Sequence, residues 1–382
     1  MRLLEQERKD LSVMNAHFSR RKMMKAVGAT ALLTPLTHGA DVPELCGEGR
    51  DTPKICLEMG EGRLSAGSPD EAGMRRVKQL GVDYVLMTGP PIPWREDQIR
   101  STMDRLKSGG LTLANMMIAG FPNAIYGRPG RDEEIENVRQ SIRSAGAAGL
   151  PVVEYNFYAH RLVEGYYEEA GRAGAGLTAF DYDRVKDLPA LPAEGAHSLE
   201  EMWNNITYFL KAVVPVAEEC GVRLALHPND PPAPLSRGSG QIMGNLDGWK
   251  RLIEIVPSKS NGITFDCGVT KEIGEDPVEV CRYFGTRDRI NHVHFRSVRV
   301  RAPREKYTEV FLDEGDVDMF AVMKELVRQK YPRLLYPEHP RGLDADRQQP
   351  NFRPAYPGGG SYVGFAYNVG YARAMLQAAL GC

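Results

Sequence analysis

Eight short apolar runs alternate with amphipathic stretches along this chain, and no other feature constrains its fold as much. The runs are "KICLEMG" (54–60), "VDYVLMTG" (82–89), "LTLANMMIAG" (111–120), "PVVEYNFYA" (151–159), "VRLALHP" (222–228), "NGITFDCG" (261–268), "INHVHFRSV" (290–298) and "RLLYPEHP" (333–340). Each has the length of a buried strand. The stretches between them have helical period. "SLEEMWNNITYFLKAVVPVAEECG" opens on Ser198 with Glu201 three residues on, a capping box, and stops at Gly221. "DEEIENVRQSIRSAGAAG", "DVDMFAVMKELVRQK" and "VGFAYNVGYARAMLQAAL" have the same character, with Asp316 and Asp318 placed to cap the third of these four helices. Strands that alternate with helices pair in parallel, and eight is the number that closes. The expected fold is an α/β, (β/α)8 TIM barrel. An open doubly wound sheet is the alternative, but no glycine-rich dinucleotide fingerprint follows the first run.

The N-terminus stands apart from this pattern. "SRRKMMKAVGATALLTPLTHGA" sets a pair of arginines, Arg20 and Arg21, before a short apolar run and a small-residue stretch. It resembles a twin-arginine export signal, which implies a periplasmic location; a solvated basic tail is the alternative. Met14 lies just upstream as a second candidate start. The apolar run is too short to anchor the chain in a bilayer. The expected division is therefore a signal or tail over 1–45 and one barrel domain over 46–382. A net charge of −2 gives no footprint for nucleic acid or an anionic membrane. The six cysteines, at 46, 56, 220, 267, 281 and 382, are too scattered to be a disulfide framework.

A barrel gathers the C-terminal ends of its strands at one mouth, so the residues at those ends are the test of function. The fifth run ends in His227 and the sixth in Asp266 and Cys267. The seventh carries His292, His294 and Arg296, which share a face if it is one strand. The eighth ends in Glu338 and His339. Four of the eight histidines are in this set. Imidazole, thiolate and carboxylate together suit a divalent transition metal, and a mixed set with an open position suits a catalytic one. Cys267 has a second reading as a small buried hydrophobe; His292, deeper in the barrel and placed to bind substrate or orient its neighbours, has one as a packed interior residue. Asn156 and His160 follow the fourth run and are placed to bind substrate hydroxyls. The two long connections, 160–197 and 299–315, both fall on the functional face.

"MWNNITYFLKAVVPVAEECGVRLALHPNDPP", "NGITFDCG", "INHVHFRSV", "FLDEGDVDMFAVM" and "PEHP" together resemble the mannonate dehydratase family, which belongs to the xylose-isomerase-like metal-dependent barrels. The resemblance runs from about residue 55 to the C-terminus and is strongest over 198–340. It implies a lyase of hexuronate catabolism that converts D-mannonate to 2-keto-3-deoxy-D-gluconate and water with Mn2+ or Fe2+. It implies a small-molecule sugar acid as partner and leaves a homo-oligomer open. Carried onto this chain, the metal ligands fall on His227, Cys267, His294 and Glu338. Glu338 stands where the family usually has aspartate, and "LEMGEG" replaces the family's aromatic-rich first strand. His339 takes the place of a catalytic histidine. The expected catalytic tyrosine falls on Tyr362, with Tyr356 as the alternative. Arg296 suits the substrate carboxylate, because its planar fork binds carboxylates bidentately. The rival readings are a sugar isomerase or epimerase on the same barrel, a metal-dependent nuclease, and an exported sugar-acid binding protein without catalysis.

Overall fold

The eight apolar runs become eight strands because each is buried on both faces. One face fills the barrel and the other packs under a helix, which is why the runs read as continuous rather than alternating. The sixth strand, Asn261–Asp266, is buried along its whole length. In the computed structural model, which describes residues 47–60 and 65–382, the strands are Lys54–Glu58, Tyr84–Thr88, Thr112–Ile118, Val152–Tyr155, Arg223–Leu226, Asn261–Asp266, Ile290–His294 and Leu334–Tyr336. All neighbours pair in parallel, and the first strand pairs with both the second and the eighth, closing the barrel. The (β/α)8 expectation is borne out. The proposed export signal over 1–45 lies outside the described residues. Among those described, no helix is long and apolar enough to cross a membrane.

Each strand is followed by a helix, and local sequence sets where several of them start and stop. Ser198 caps Leu199–Glu219 and accepts from the Glu201 amide at 3.2 Å, while the Glu201 carboxylate accepts from the Ser198 amide at 2.7 Å. Gly221, at φ +67°, turns the chain into the fifth strand. Asp318 caps Met319–Arg328 through the Ala321 amide. Asp316 does something else and accepts from the Val300 amide at 2.8 Å.

Both long connections carry strands that the apolar pattern does not reveal. Tyr166–Ala170 and Gly176–Asp181 come from the first connection, and Ser297–Ala302 and Lys306–Val310 from the second. They pair antiparallel into one four-stranded sheet outside the barrel. This corrects the reading of "INHVHFRSV" as a single strand. The barrel strand ends at His294, Phe295 and Arg296 form a link, and a strand of the outer sheet begins at Ser297. The outer sheet reaches the mouth of the barrel. Tyr166 and Tyr307 donate to Asp230 at 2.8 and 3.3 Å, and Glu309 meets His339.

Candidate active site at the barrel mouth

Four donors from four successive barrel units converge at the mouth. His227 directly follows the fifth strand, Asp266 ends the sixth, His294 ends the seventh, and Glu338 lies two residues past the eighth. Their ligand atoms all lie within 4.8 Å of one another. His227 Nε2 is 3.1 Å from His294 Nδ1 and 3.7 Å from Asp266 Oδ2, and His294 Nδ1 is 3.1 Å from Glu338 Oε1.

The ring orientations fit a cation. His227 donates from Nδ1 to the Pro228 carbonyl at 2.7 Å, which leaves the Nε2 lone pair facing the cluster. Burial, reinforced by His294, pushes the His227 pKa down to about 3, so this imidazole is neutral. His294 turns Nδ1 to the cluster and Nε2 to Glu154 Oε1, 3.4 Å away on the barrel floor. Burial disfavours charge on His294, but Glu338 and Glu154 overcome that and hold its pKa up at about 9. Glu338 Oε1 is buried with no hydrogen-bond partner of good geometry, an unusual cost for a native carboxylate that a cation would remove. Two imidazoles and two carboxylates suit a divalent transition ion and fit the group that the sequence pattern implies.

Cys267 is not in this cluster, and Asp266 occupies the place expected for it. Side chains alternate along a strand. Thr264 and Asp266 face the barrel interior, where Thr264 bonds Glu154 at 2.8 Å. Cys267 is the first residue of the short helix Cys267–Glu272 and is fully buried near Cys281 of the helix Pro277–Gly285. Burial raises its thiol pKa well above the usual range, the setting of an inert cysteine. Arg296 also differs from its expected role. Its guanidinium is 2% exposed and already committed, donating to Asp266 at 3.0 Å and Glu272 at 2.7 Å, with Glu338 3.2 Å away. Gly268 makes room for it, since a Cβ there would sit 2.7 Å from Arg296 Nη1. Arg296 therefore braces the acidic cluster from behind and does not line the cavity at the barrel mouth.

A cavity open to solvent lies against the cluster at the barrel mouth. Its lining includes Glu58, Glu154, Asn156, Arg161, His339 and Tyr356. His339 and Tyr356 lie side by side with ring centroids 5.0 Å apart. Arg161 donates to the Tyr356 hydroxyl at 2.6 Å and to Asp230 Oδ2 at 3.1 Å, and 30% of its side chain remains open. It is the one arginine lining the cavity among the described residues. Tyr362 lies elsewhere. It begins the last helix, Tyr362–Leu380, and its hydroxyl bonds the Arg76 carbonyl on the outside of the barrel. Tyr356 thus takes the position expected of the tyrosine. Asn156 lines the cavity. His160 does not, being held between Glu194 at 2.8 Å and Glu164 at 3.1 Å. His292 is fully buried below His294, 3.9 Å from Glu154.

Several residues here were not singled out by the sequence. Glu154 and Glu58 interrupt the apolar runs "PVVEYNFYA" and "KICLEMG", and a carboxylate inside a buried strand was a readable signal. Burial, with Glu154 and Glu338 nearby, pushes the Glu58 pKa up to about 7. Asp230 was visible in "HPND". Arg161, Glu309 and Arg341 carried no such mark.

Fold and site together define a TIM barrel with a four-donor cluster that could hold a cation and an imidazole–phenol pair at its mouth. Comparison with known proteins narrows this class. Residues 64–190 and 176–380 match the family model of D-mannonate dehydratase (UxuA). Mannonate dehydratase of Streptococcus pneumoniae is 30% identical over 352 residues, covering 82% of this chain and 93% of that protein. The enzyme of Thermotoga petrophila is 29% identical, covering 74% and 89%. The crystal structure of mannonate dehydratase from Streptococcus suis serotype 2 superposes with a TM-score of 0.74 at 28% identity, covering 86% and 94%. An L-ribulose 3-epimerase, at 15% identity and a TM-score of 0.54, shares the fold. The chain belongs to the mannonate dehydratase family.

Proposed function

We propose that this protein is a hydro-lyase that converts D-mannonate to 2-keto-3-deoxy-D-gluconate and water, as a step of hexuronate catabolism. The observation that carries the reading, beside the family membership, is the His339–Tyr356 pair on a cavity wall next to the cation cluster. An Mn2+ or Fe2+ ion held by His227, Asp266, His294 and Glu338 would act as a Lewis acid toward the charge that develops when C2 loses its proton. The chain's own groups do the rest. Arg161 offers its open edge to the substrate carboxylate. His339 donates from Nδ1 to Glu309 at 2.8 Å, so Nε2 keeps its lone pair and takes the C2 proton. Burial pushes the Tyr356 pKa up to about 12, so the phenol stays protonated. It gives that proton to the C3 hydroxyl, which leaves as water, and the resulting enol ketonises to the product.

Incubation of manganese-loaded protein with a panel of aldonic acids tests this. D-mannonate is expected to yield a 2-keto-3-deoxy acid, and deuterium at C2 to slow the reaction if proton transfer limits it. Arg161→Ala is expected to raise KM more than it lowers kcat. Interconversion of a free sugar, with no turnover of any aldonate, would replace the dehydratase by an isomerase.

A further inference from the structure

We propose that Glu309, carried by the outer sheet rather than the barrel, is the positioning residue that holds His339 as a proton acceptor. The inference rests on the reading of His339 just given. Glu309 Oε2 accepts from His339 Nδ1 at 2.8 Å and from Arg341 Nη2 at 2.8 Å. Arg341 in turn donates to the His339 carbonyl from Nε at 2.9 Å and Nη2 at 2.6 Å, and from Nη1 to the Glu309 carbonyl at 3.3 Å. The three residues close a ring of hydrogen bonds, and all are at most 5% exposed.

Two features make this more than a structural ion pair. His339 has φ +47°, a backbone state that a non-glycine residue keeps only when its surroundings over-determine it. The pair of hydrogen bonds that Arg341 donates to its carbonyl supplies that constraint. An ionised carboxylate can only accept, so Glu309 fixes the proton on Nδ1. Nε2 is then bare and lies 3.4 Å from Glu338 Oε2, on the cluster side of the ring. A base held by a buried acid on its far nitrogen is the general logic of an oriented imidazole. Glu309 is 30 residues from His339 and belongs to the strand Lys306–Val310. The outer sheet therefore completes the proton-transfer group from outside the barrel.

The test has a substrate-free arm and a kinetic arm. In full-length, zinc-loaded protein carrying 15N-histidine, the His339 resonances are found by comparison with His339→Gln. The expected tautomer in the native chain is Nδ1–H with Nε2 bare, and in Glu309→Gln that preference is lost. Nε2–H in the native chain overturns the proposal, as does an unchanged tautomer in Glu309→Gln. This arm stands even if no aldonate is turned over, so its failure is distinct from failure of the dehydratase reading. In the kinetic arm, Glu309→Gln should lower kcat by about 10²-fold or more with KM and bound metal little changed, and Glu309→Asp should recover part of the loss. In a His339→Ala background Glu309→Gln should cost almost nothing further. The same loss in both backgrounds would reduce Glu309 to a structural role. If Glu309→Gln does not fold, Glu309→Asp and the native tautomer carry the test.

Discussion

Without a bound cation, a proton should sit where the cation would. The His294 imidazole has its pKa held at about 9, against an ordinary 6.5, because Glu338 and Glu154 outweigh the cost of burial. Below pH 9 the metal-free ring is therefore charged, with its Nδ1 proton directed at His227 Nε2 3.1 Å away. A divalent ion needs that same Nδ1 lone pair, so binding at neutral pH must expel the proton. One proton means about a tenfold rise in apparent affinity per pH unit, levelling off above pH 9. At pH 7, two units below the pKa, affinity should be about a hundredfold below its plateau, or roughly 3 kcal/mol. Below about pH 6 Asp266, whose pKa burial pushes up to about 6, adds a second proton and the slope should steepen. The sign for stability follows. A raised histidine pKa stabilises the metal-free chain fully below pH 6.5, and that contribution disappears as pH rises through 9. Calorimetric titration of Mn2+ into metal-free protein, in buffers of different ionisation enthalpy, counts the protons released. No proton release at pH 7 with a flat affinity profile would overturn this prediction, because His294 would then be neutral before the ion arrives. Glu154→Gln should move the plateau to lower pH, since one of the two carboxylates that hold the proton is gone.

Asp266→Ala should lose most bound metal while Cys267→Ala keeps it, as elemental analysis of the purified variants would show; the opposite result would return the thiol to the site. Tyr356→Phe should lower kcat by about 10² to 10⁴-fold, whereas Tyr362→Phe should stay close to the native rate, because its hydroxyl bonds a carbonyl outside the barrel. Equal losses in the two variants would remove the phenol from the chemistry. The paired arginines at 20 and 21 predict export, so fractionation of the native host should find a shortened chain in the periplasm. Full-length protein confined to the cytoplasm would defeat that expectation.

The barrel was legible because its determinants are local. Strand length, the capping box at Ser198 and the glycine stop at Gly221 are set by residues within one or two turns of each other. Once eight parallel strands are granted, their ends must converge, so His227, His294, Glu338 and His339 could be gathered without knowing a single contact. Which side chain at an end points inward could not be gathered that way. Asp266 and Cys267 are neighbours, and a one-residue difference in register exchanges the barrel interior for the helix layer. That register is set by pairing with the flanking strands, through Asp266 opposite His294. The remaining decisions were made by contacts between distant segments. Arg296 left the substrate role because Asp266 and Glu272 reached it first. Tyr356 displaced Tyr362 because the chain from 340 to 361 folds back over the mouth and meets Arg161, 195 residues earlier. The outer sheet exists only because two connections, separated by three barrel strands, pair with each other through Lys306–Val310 and Gly176–Asp181. Sequence alone determined the scaffold and the place of the site, since both follow from short-range periodicity repeated eight times. The tertiary structure decided which groups face the cavity and which hold them, because burial, charge pairing and strand register depend on partners that no local window contains.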